Sequence, residues 1–131
     1  MDLPELRLLV DKAETFPEGI PGAFQRLEAR LPAPRGRKLY GVARAAGCAM
    51  EYHAGVVAED DGEGARLGLP EMTIPAGPYA RTTLMQWEER KAEIPAIVDF
   101  MIESVDHDPS RPVLELYSTS FELQVLVPVG G

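Results

Sequence analysis

The sequence has few of the residues on which several large classes of protein depend. Cys48 is the single cysteine among 131 residues, so no internal disulfide can form and nothing indicates an oxidising compartment. We expect Cys48 to be a small buried residue rather than a nucleophile. No apolar run approaches the roughly 20 residues that cross a bilayer, and residues 1–5 lack the basic start of a signal peptide. These absences predict a cytoplasmic protein with no membrane partner.

Basic residues are also scarce. Thirteen Lys and Arg residues stand against 21 Asp and Glu residues, which gives a formal net charge of −8. A chain with this balance repels phosphate backbones and attracts cations, so we expect no direct binding of nucleic acid. The length and the 45% hydrophobic content are typical of one folded domain.

Several common catalytic motifs are missing. The chain has no glycine-rich phosphate loop and no Gly-x-Ser-x-Gly turn, which disfavours nucleotide-dependent and serine-hydrolase chemistry. His53 and His107 have no carboxylate or cysteine neighbours at a recognised metal spacing. We therefore predict no metal site and no cofactor.

The spacing of apolar residues predicts an α+β fold in which one order of elements occurs twice. The first half is predicted to contain strand, helix, strand and strand at 6–13, 20–31, 38–44 and 50–57, with a turn at 45–47. In the second half we expect strands at 71–74, 79–85, 113–117 and 121–127. A helix is expected to begin near Glu93, because Pro95 cannot donate a backbone hydrogen bond inside a helix.

These elements predict one domain with pseudo-repeats at about 5–59 and 70–129, an antiparallel sheet and two main helices. The acidic, glycine-rich run at 59–64 separates the halves and is predicted to be an exposed loop.

Glu115 is the candidate that carries most of the functional argument. In a strand at 113–117 it shares one face with Val113 and Tyr117, while two leucines take the other face. A carboxylate among apolar neighbours needs a cation or hydrogen-bond donors in place of water. The residues alone favour a permanent internal partner, which could be Arg81, Lys38 or a tyrosine hydroxyl, over a ligand.

Aromatic residues are few, but several fall on predicted strands close to turns. Tyr52 and Tyr117 are the best candidates to hold a flat organic cation beside a carboxylate, and Tyr40 is a further candidate. Trp87 precedes a charged run, where it either lies at the rim of a pocket or covers the core. Met72 is flexible enough to line an adaptable pocket, although methionine more often fills a core.

Short motifs in order along nearly the whole chain resemble the GyrI-like effector-binding family. The most specific is Ile-Pro-Ala-Gly-Pro-Tyr-Ala at 74–80, followed by Leu-Glu-Leu-Tyr at 114–117 and Leu-Val-Pro-Val at 126–129. Tyr-Gly at 40–41 and Tyr-His-Ala-Gly-Val at 52–56 match the first half. The resemblance implies a ligand cleft between the two halves, as in the effector domains of multidrug-responsive transcription regulators.

The resemblance also implies functions for particular residues. It places Glu115 against cationic, aromatic ligands and places aromatic residues from the strand of Tyr52 along the cleft, with Trp87 nearby. The leading expectation is therefore a module that binds a hydrophobic cationic small molecule. Because no helix-turn-helix segment precedes the first strand, we expect a stand-alone member that works with a separate regulatory protein or sequesters its ligand.

Two alternatives remain open. Some proteins similar to this family hydrolyse strained electrophilic natural products, for which Glu115, Tyr52 and Tyr117 would be the first catalytic candidates. The family name also implies inhibition of a DNA topoisomerase, with the acidic loop from Glu59 to Glu63 as a contact surface, although a solvated turn explains that loop more simply.

Overall fold

A computed structural model describes residues 1–32, 37–46, 49–118 and 121–130 of the chain. The prediction for Cys48 lies outside the described residues. The described part contains eight β-strands and three α-helices. The strands are β1 (Asp2–Leu3), β2 (Leu6–Lys12), β3 (Leu39–Ala46), β4 (Ala49–Val57), β5 (Glu71–Ile74), β6 (Gly77–Met85), β7 (Val113–Tyr117) and β8 (Glu122–Pro128). The helices are α1 (Ile20–Arg30), α2 (Glu63–Leu67) and α3 (Ile94–Ser104).

The two long helices begin in the same way. Each starts with an Ile-Pro pair, Ile20-Pro21 in α1 and Ile94-Pro95 in α3. Proline fits the first turn of a helix because the amide hydrogen that it lacks would have no partner there. A 3₁₀ helix at Trp87–Glu93 leads into α3, which begins at Ile94 and so confirms the start predicted near Glu93.

All strands pair antiparallel in one curled sheet, in the order β1-β6-β8-β7-β3-β4-β2-β5. The predicted α+β class and the repeated order of strand, helix, strand and strand are confirmed. The halves meet at the centre of the sheet, where β3 pairs with β7. Each half also sends a short strand to the other, since β5 pairs with β2 and β1 pairs with β6.

The sheet separates the apolar side chains into an inner cluster and two clusters beneath the helices. The inner cluster lies on the face opposite α1 and α3 and includes Leu8, Val42, Tyr79 and Leu114. On the other face, α1 packs on β2 and β4, and α3 packs on β8. The centre of the helix-covered face, above β3 and β7, lies between α1 and α3.

Two local predictions are wrong. Ala45 and Ala46 belong to β3 and not to a turn, because they continue its pairing with β4. The acidic run at 59–64 is not wholly an exposed loop, since α2 begins at Glu63 and this residue is only 4% exposed. Arg37 compensates the buried carboxylate with two hydrogen bonds of 2.8 and 2.9 Å.

No helix in the described ranges is long and apolar enough to cross a membrane.

Candidate functional site

Glu115 lies at the centre of the sheet, on the face that the helices cover. The two-residue period of β7 puts Leu114 and Leu116 into the inner cluster and directs Glu115 and Tyr117 to the opposite face. The neighbouring strand β3 places Gly41 directly beside Glu115 and Leu39 beside Tyr117. The carboxylate therefore lies where the two halves of the molecule join.

Two tyrosine hydroxyls donate hydrogen bonds to one oxygen of this carboxylate. Tyr52 Oη lies 2.5 Å from Glu115 Oε1, and Tyr117 Oη lies 2.9 Å from the same atom. The two hydroxyl oxygens are 3.4 Å apart. Tyr52 comes from β4 in the first half and Tyr117 from β7 in the second. The site is thus assembled from both halves, and Glu115 Oε2 accepts no hydrogen bond from a described residue.

No described arginine or lysine forms an ion pair with Glu115. Arg81 and Lys38 are both exposed. Of the internal partners considered from the sequence, the structure provides the tyrosine hydroxyls. Hydroxyl donors stabilise a carboxylate but do not neutralise its charge, so an ionised Glu115 remains a net negative charge in an apolar setting.

Burial shifts the protonation equilibria of the whole group. Removal from water raises the pKa of Glu115, and the hydrogen bonds from Tyr52 and Tyr117 offset part of that rise. Burial, together with the nearby Glu115 carboxylate, also raises the pKa of both tyrosines. Both hydroxyls therefore stay protonated and remain donors across the physiological range.

Aromatic rings surround the hydrogen-bonded group. Phe24 of α1 packs edge-on against Tyr117 with ring centroids 5.3 Å apart, and its ring lies 6.3 Å from that of Tyr52. Trp87 packs edge-on against Tyr117 from the other side at 5.0 Å. Phe16 lies 6.1 Å from the ring of Tyr52. Rings from both halves thus meet above one carboxylate.

A cavity of about 550 Å³ opens between α1 and the segment that leads into α3. Its lining is mainly apolar and comes from both halves, and it includes the two helix-starting isoleucines Ile20 and Ile94. Tyr117 and Leu39 line it from the sheet. Glu115 is not part of this lining and lies behind Tyr117, whose hydroxyl is 2.9 Å from Glu115 Oε1. The full lining is Pro17, Ile20, Pro21, Phe24, Glu28, Arg37, Leu39, Trp87, Glu88, Lys91, Ile94 and Tyr117.

The structure brings together four of the six residues predicted from the sequence. Glu115, Tyr52, Tyr117 and Trp87 form one connected group. Tyr40 and Met72 do not join it, because both pack in the inner cluster on the opposite face of the sheet. Sequence alternation alone could not decide which face of β3 or β5 belonged to the cleft.

Phe24 and Gly41 are site residues that the sequence interpretation missed. Phe24 lies within the helix predicted at 20–31, and the apolar spacing that predicts this helix does not distinguish a core ring from a cavity ring. A Cβ at Gly41 would lie 2.6 Å from Glu115 Oε1 and 2.7 Å from Tyr52 Cζ. Glycine inside a strand often marks such a close approach, so this residue could have been found.

The pKa of Glu115 leads to a prediction for the stability of the ligand-free protein. Because burial raises the pKa of Glu115 in the folded state, the folded protein binds the proton of this carboxyl group more tightly than the unfolded chain does. Glutamates of an unfolded chain have a pKa of about 4.3. The contribution of the protonated Glu115 to the stability of the fold is fully present below that pH, and it is lost as pH rises through the pKa of Glu115 in the folded state. We therefore expect Glu115→Gln to gain stability relative to the wild type as pH rises over this window. Urea denaturation from pH 4 to pH 8 measures the difference, and parallel curves for the two proteins would contradict the prediction.

Comparison with solved structures shows that other proteins share the fold of this chain. No protein-family model matches the sequence, and no match was found among curated protein sequences. The structure superposes on that of a protein called SAV2435 with tetraphenylphosphonium bound, with a TM-score of 0.72, 17% identity and coverage of 100% of this chain and 92% of the other. A Vibrio cholerae integron cassette protein gives a TM-score of 0.71 at 12% identity, covering 99% and 94%. A Staphylococcus aureus protein described as a bacterial transcription regulation protein gives 0.63 at 16% identity, covering 100% and 96%.

Proposed function

We propose that this protein binds hydrophobic cationic small molecules in the cavity between α1 and α3, with Glu115 as the counter-charge. The observation that carries the proposal is a half-buried carboxylate that accepts hydrogen bonds from two tyrosine hydroxyls and forms no ion pair with any described residue. An ionised carboxylate in this setting is favoured by an incoming positive charge, since Coulomb attraction strengthens as water is excluded.

The shape and lining of the cavity support an organic ligand rather than a small inorganic ion. Its volume of about 550 Å³ lies within the range typical of small-molecule sites. The rings of Phe24, Trp87 and Tyr117 have faces that attract cations, and they provide apolar contact area without demanding one ligand shape. The site therefore selects ligands by their charge and hydrophobicity more than by their shape.

One of the solved structures of similar fold supports the same class of ligand. SAV2435 has been solved with tetraphenylphosphonium, a large hydrophobic cation, and its fold covers the whole of this chain. The resemblance of the motifs at 74–80 and 114–117 to the GyrI-like effector-binding family supports the same conclusion from the sequence. We infer that the chain is a small-molecule receptor of that type.

Tetraphenylphosphonium and tetraphenylborate provide a direct test, since the two ions have nearly the same shape and opposite charge. We expect the phosphonium ion to bind with a stoichiometry of one and the borate ion to bind at least about tenfold more weakly, because Glu115 attracts only the first. Isothermal titration calorimetry at constant ionic strength measures both. Equal affinities would show that the cavity recognises hydrophobic shape alone and would contradict the proposal.

A further inference from the structure

Lys91 is a cavity residue whose position the binding proposal does not use. It lies on the 3₁₀ helix at Trp87–Glu93, its side chain is exposed, and it lines the cavity. Its ammonium nitrogen stands 5.7 Å from the centroid of the Trp87 ring, which is within the range of a cation–π contact. The protein thus places a cation of its own on an aromatic wall of the cavity.

Nothing else in the described chain holds this ammonium group. Lys91 forms no ion pair with any described residue, and a break in the helical backbone at Arg90 separates it from the nearby Glu88. Arg37, the other basic residue of the lining, differs in this respect because Glu63 and Glu59 both pair with it. Lys91 is therefore the cavity cation that is free to move.

The ring beneath Lys91 is linked to the carboxylate by successive contacts. Trp87 packs edge-on against Tyr117, and Tyr117 donates its hydroxyl hydrogen to Glu115. Trp87 Nε1 is buried without a hydrogen-bond partner among the described residues, so packing alone sets the position of the indole ring. The cavity face of this ring is where a hydrophobic cation would gain most from aromatic contact.

We propose that Lys91 is an internal competitor for cationic ligands, which occupies the face of Trp87 in the empty protein and is displaced when a ligand enters. This inference rests on the proposed function. Lys91 lowers the affinity for every cation by the strength of its own contact, and it excludes cations whose hydrophobic surface is too small to outcompete an ammonium group. It is therefore a specificity-determining residue that favours large, delocalised cations over small amines.

Removal of the charge while the length is kept tests the proposal. We expect Lys91→Met to bind tetraphenylphosphonium about two- to fivefold more tightly than the wild type, which corresponds to the usual strength of one exposed cation–π contact. Lys91→Arg keeps a cation that can stack on the ring and should give no gain. Lys12→Met makes the same change of net charge on β2, away from the cavity, and should bind like the wild type.

A double-mutant cycle separates displacement from general charge repulsion. If Lys91 acts through the ring, Lys91→Met should give no gain in a Trp87→Leu background, whereas simple repulsion would give the same gain in both. Calorimetry measures all four affinities, and equal gains would overturn the inference. Fluorescence of Trp87, the single tryptophan, gives a second readout without ligand: its emission should change in Lys91→Met and not in Lys12→Met.

The outcomes distinguish this inference from the proposed function. Binding of tetraphenylphosphonium by the wild type with no gain in Lys91→Met would remove the competitor role and leave the receptor intact. Failure of every variant, Lys91→Met included, to bind the phosphonium ion would contradict the receptor itself. Unchanged Trp87 emission in Lys91→Met would show that the contact between Lys91 and Trp87 is not formed in solution.

Discussion

Glu115→Gln should weaken the binding of tetraphenylphosphonium by about 2–5 kcal/mol, the usual loss when one partner of a buried charge pair is removed. Glutamine keeps the size of the side chain, and its amide oxygen still accepts hydrogen bonds from Tyr52 and Tyr117. The substitution therefore removes the charge and leaves the shape of the cavity. Isothermal titration calorimetry of the wild type and the variant measures the difference directly.

A matched control comes from α3. Glu103 is exposed and does not line the cavity, so Glu103→Gln removes the same charge from the same acidic protein without touching the site. Its effect should remain within about 0.5 kcal/mol, as for other surface substitutions. If Glu103→Gln and Glu115→Gln weaken binding equally, the net charge of the protein and not the buried carboxylate attracts the ligand.

The second large effect is expected at Gly41, where β3 passes the hydrogen-bonded group without a side chain. An added methyl group at this position would overlap Glu115 Oε1 at 2.6 Å and the ring of Tyr52 at 2.7 Å. The atoms that the methyl group would overlap lie inside the hydrogen-bonded site and not at the end of a mobile surface side chain, so they cannot move away easily. We expect Gly41→Ala to destabilise the fold by about 1–3 kcal/mol, as for other overpacked cores.

We expect Gly41→Ala to bind tetraphenylphosphonium more weakly as well as to be less stable. Displacement of Tyr52 breaks its 2.5 Å hydrogen bond to Glu115 and disturbs the rings that pack on Tyr52. Urea denaturation gives the free energy of unfolding, and titration with tetraphenylphosphonium under folding conditions gives the affinity. A Gly41→Ala variant with wild-type stability and affinity would contradict the close approach.

A partial rescue identifies the cause. Tyr52→Phe removes the hydroxyl oxygen, which is the atom nearest to the added methyl group. Gly41→Ala should therefore cost less in the Tyr52→Phe background than in the wild type, by a margin that a double-mutant cycle measures. Gly22→Ala in α1 serves as the comparison, because its added methyl group would meet only the end of the Arg26 side chain, at 3.3 Å. Equal costs in both backgrounds would show that the strain arises elsewhere.

Local information was sufficient for most of the elements. The strand Val113–Tyr117 was predicted with its observed bounds, since alternation and turn residues define it without help from distant parts of the chain. The start of α3 followed from Pro95 alone. The strand β1 was not predicted from the sequence and spans only Asp2–Leu3. It forms because it pairs with β6, and no local pattern can reveal that pairing.

The acidic run shows the opposite case. From composition, 59–64 is a solvated loop, and most such runs are. In the fold Glu63 is buried because Arg37, 26 residues earlier, reaches it with a two-pronged hydrogen-bonded contact. Burial of a charge depends on its partner, and only the fold brings Arg37, which precedes β3, next to Glu63 at the start of α2.

The sequence by itself determined the class of fold, the acidic balance and the presence of a carboxylate in an apolar strand, because these follow from residue type and from periods of two and 3.6 residues. Only the tertiary structure decided which side chains surround that carboxylate. Tyr52 reaches Glu115 across 63 positions of sequence, while Tyr40, as plausible from its strand pattern, lies on the far face of the sheet. The alternation of residues along a strand shows only that the strand has two faces. Strand pairing and helix packing determine which of the two faces lines a cavity.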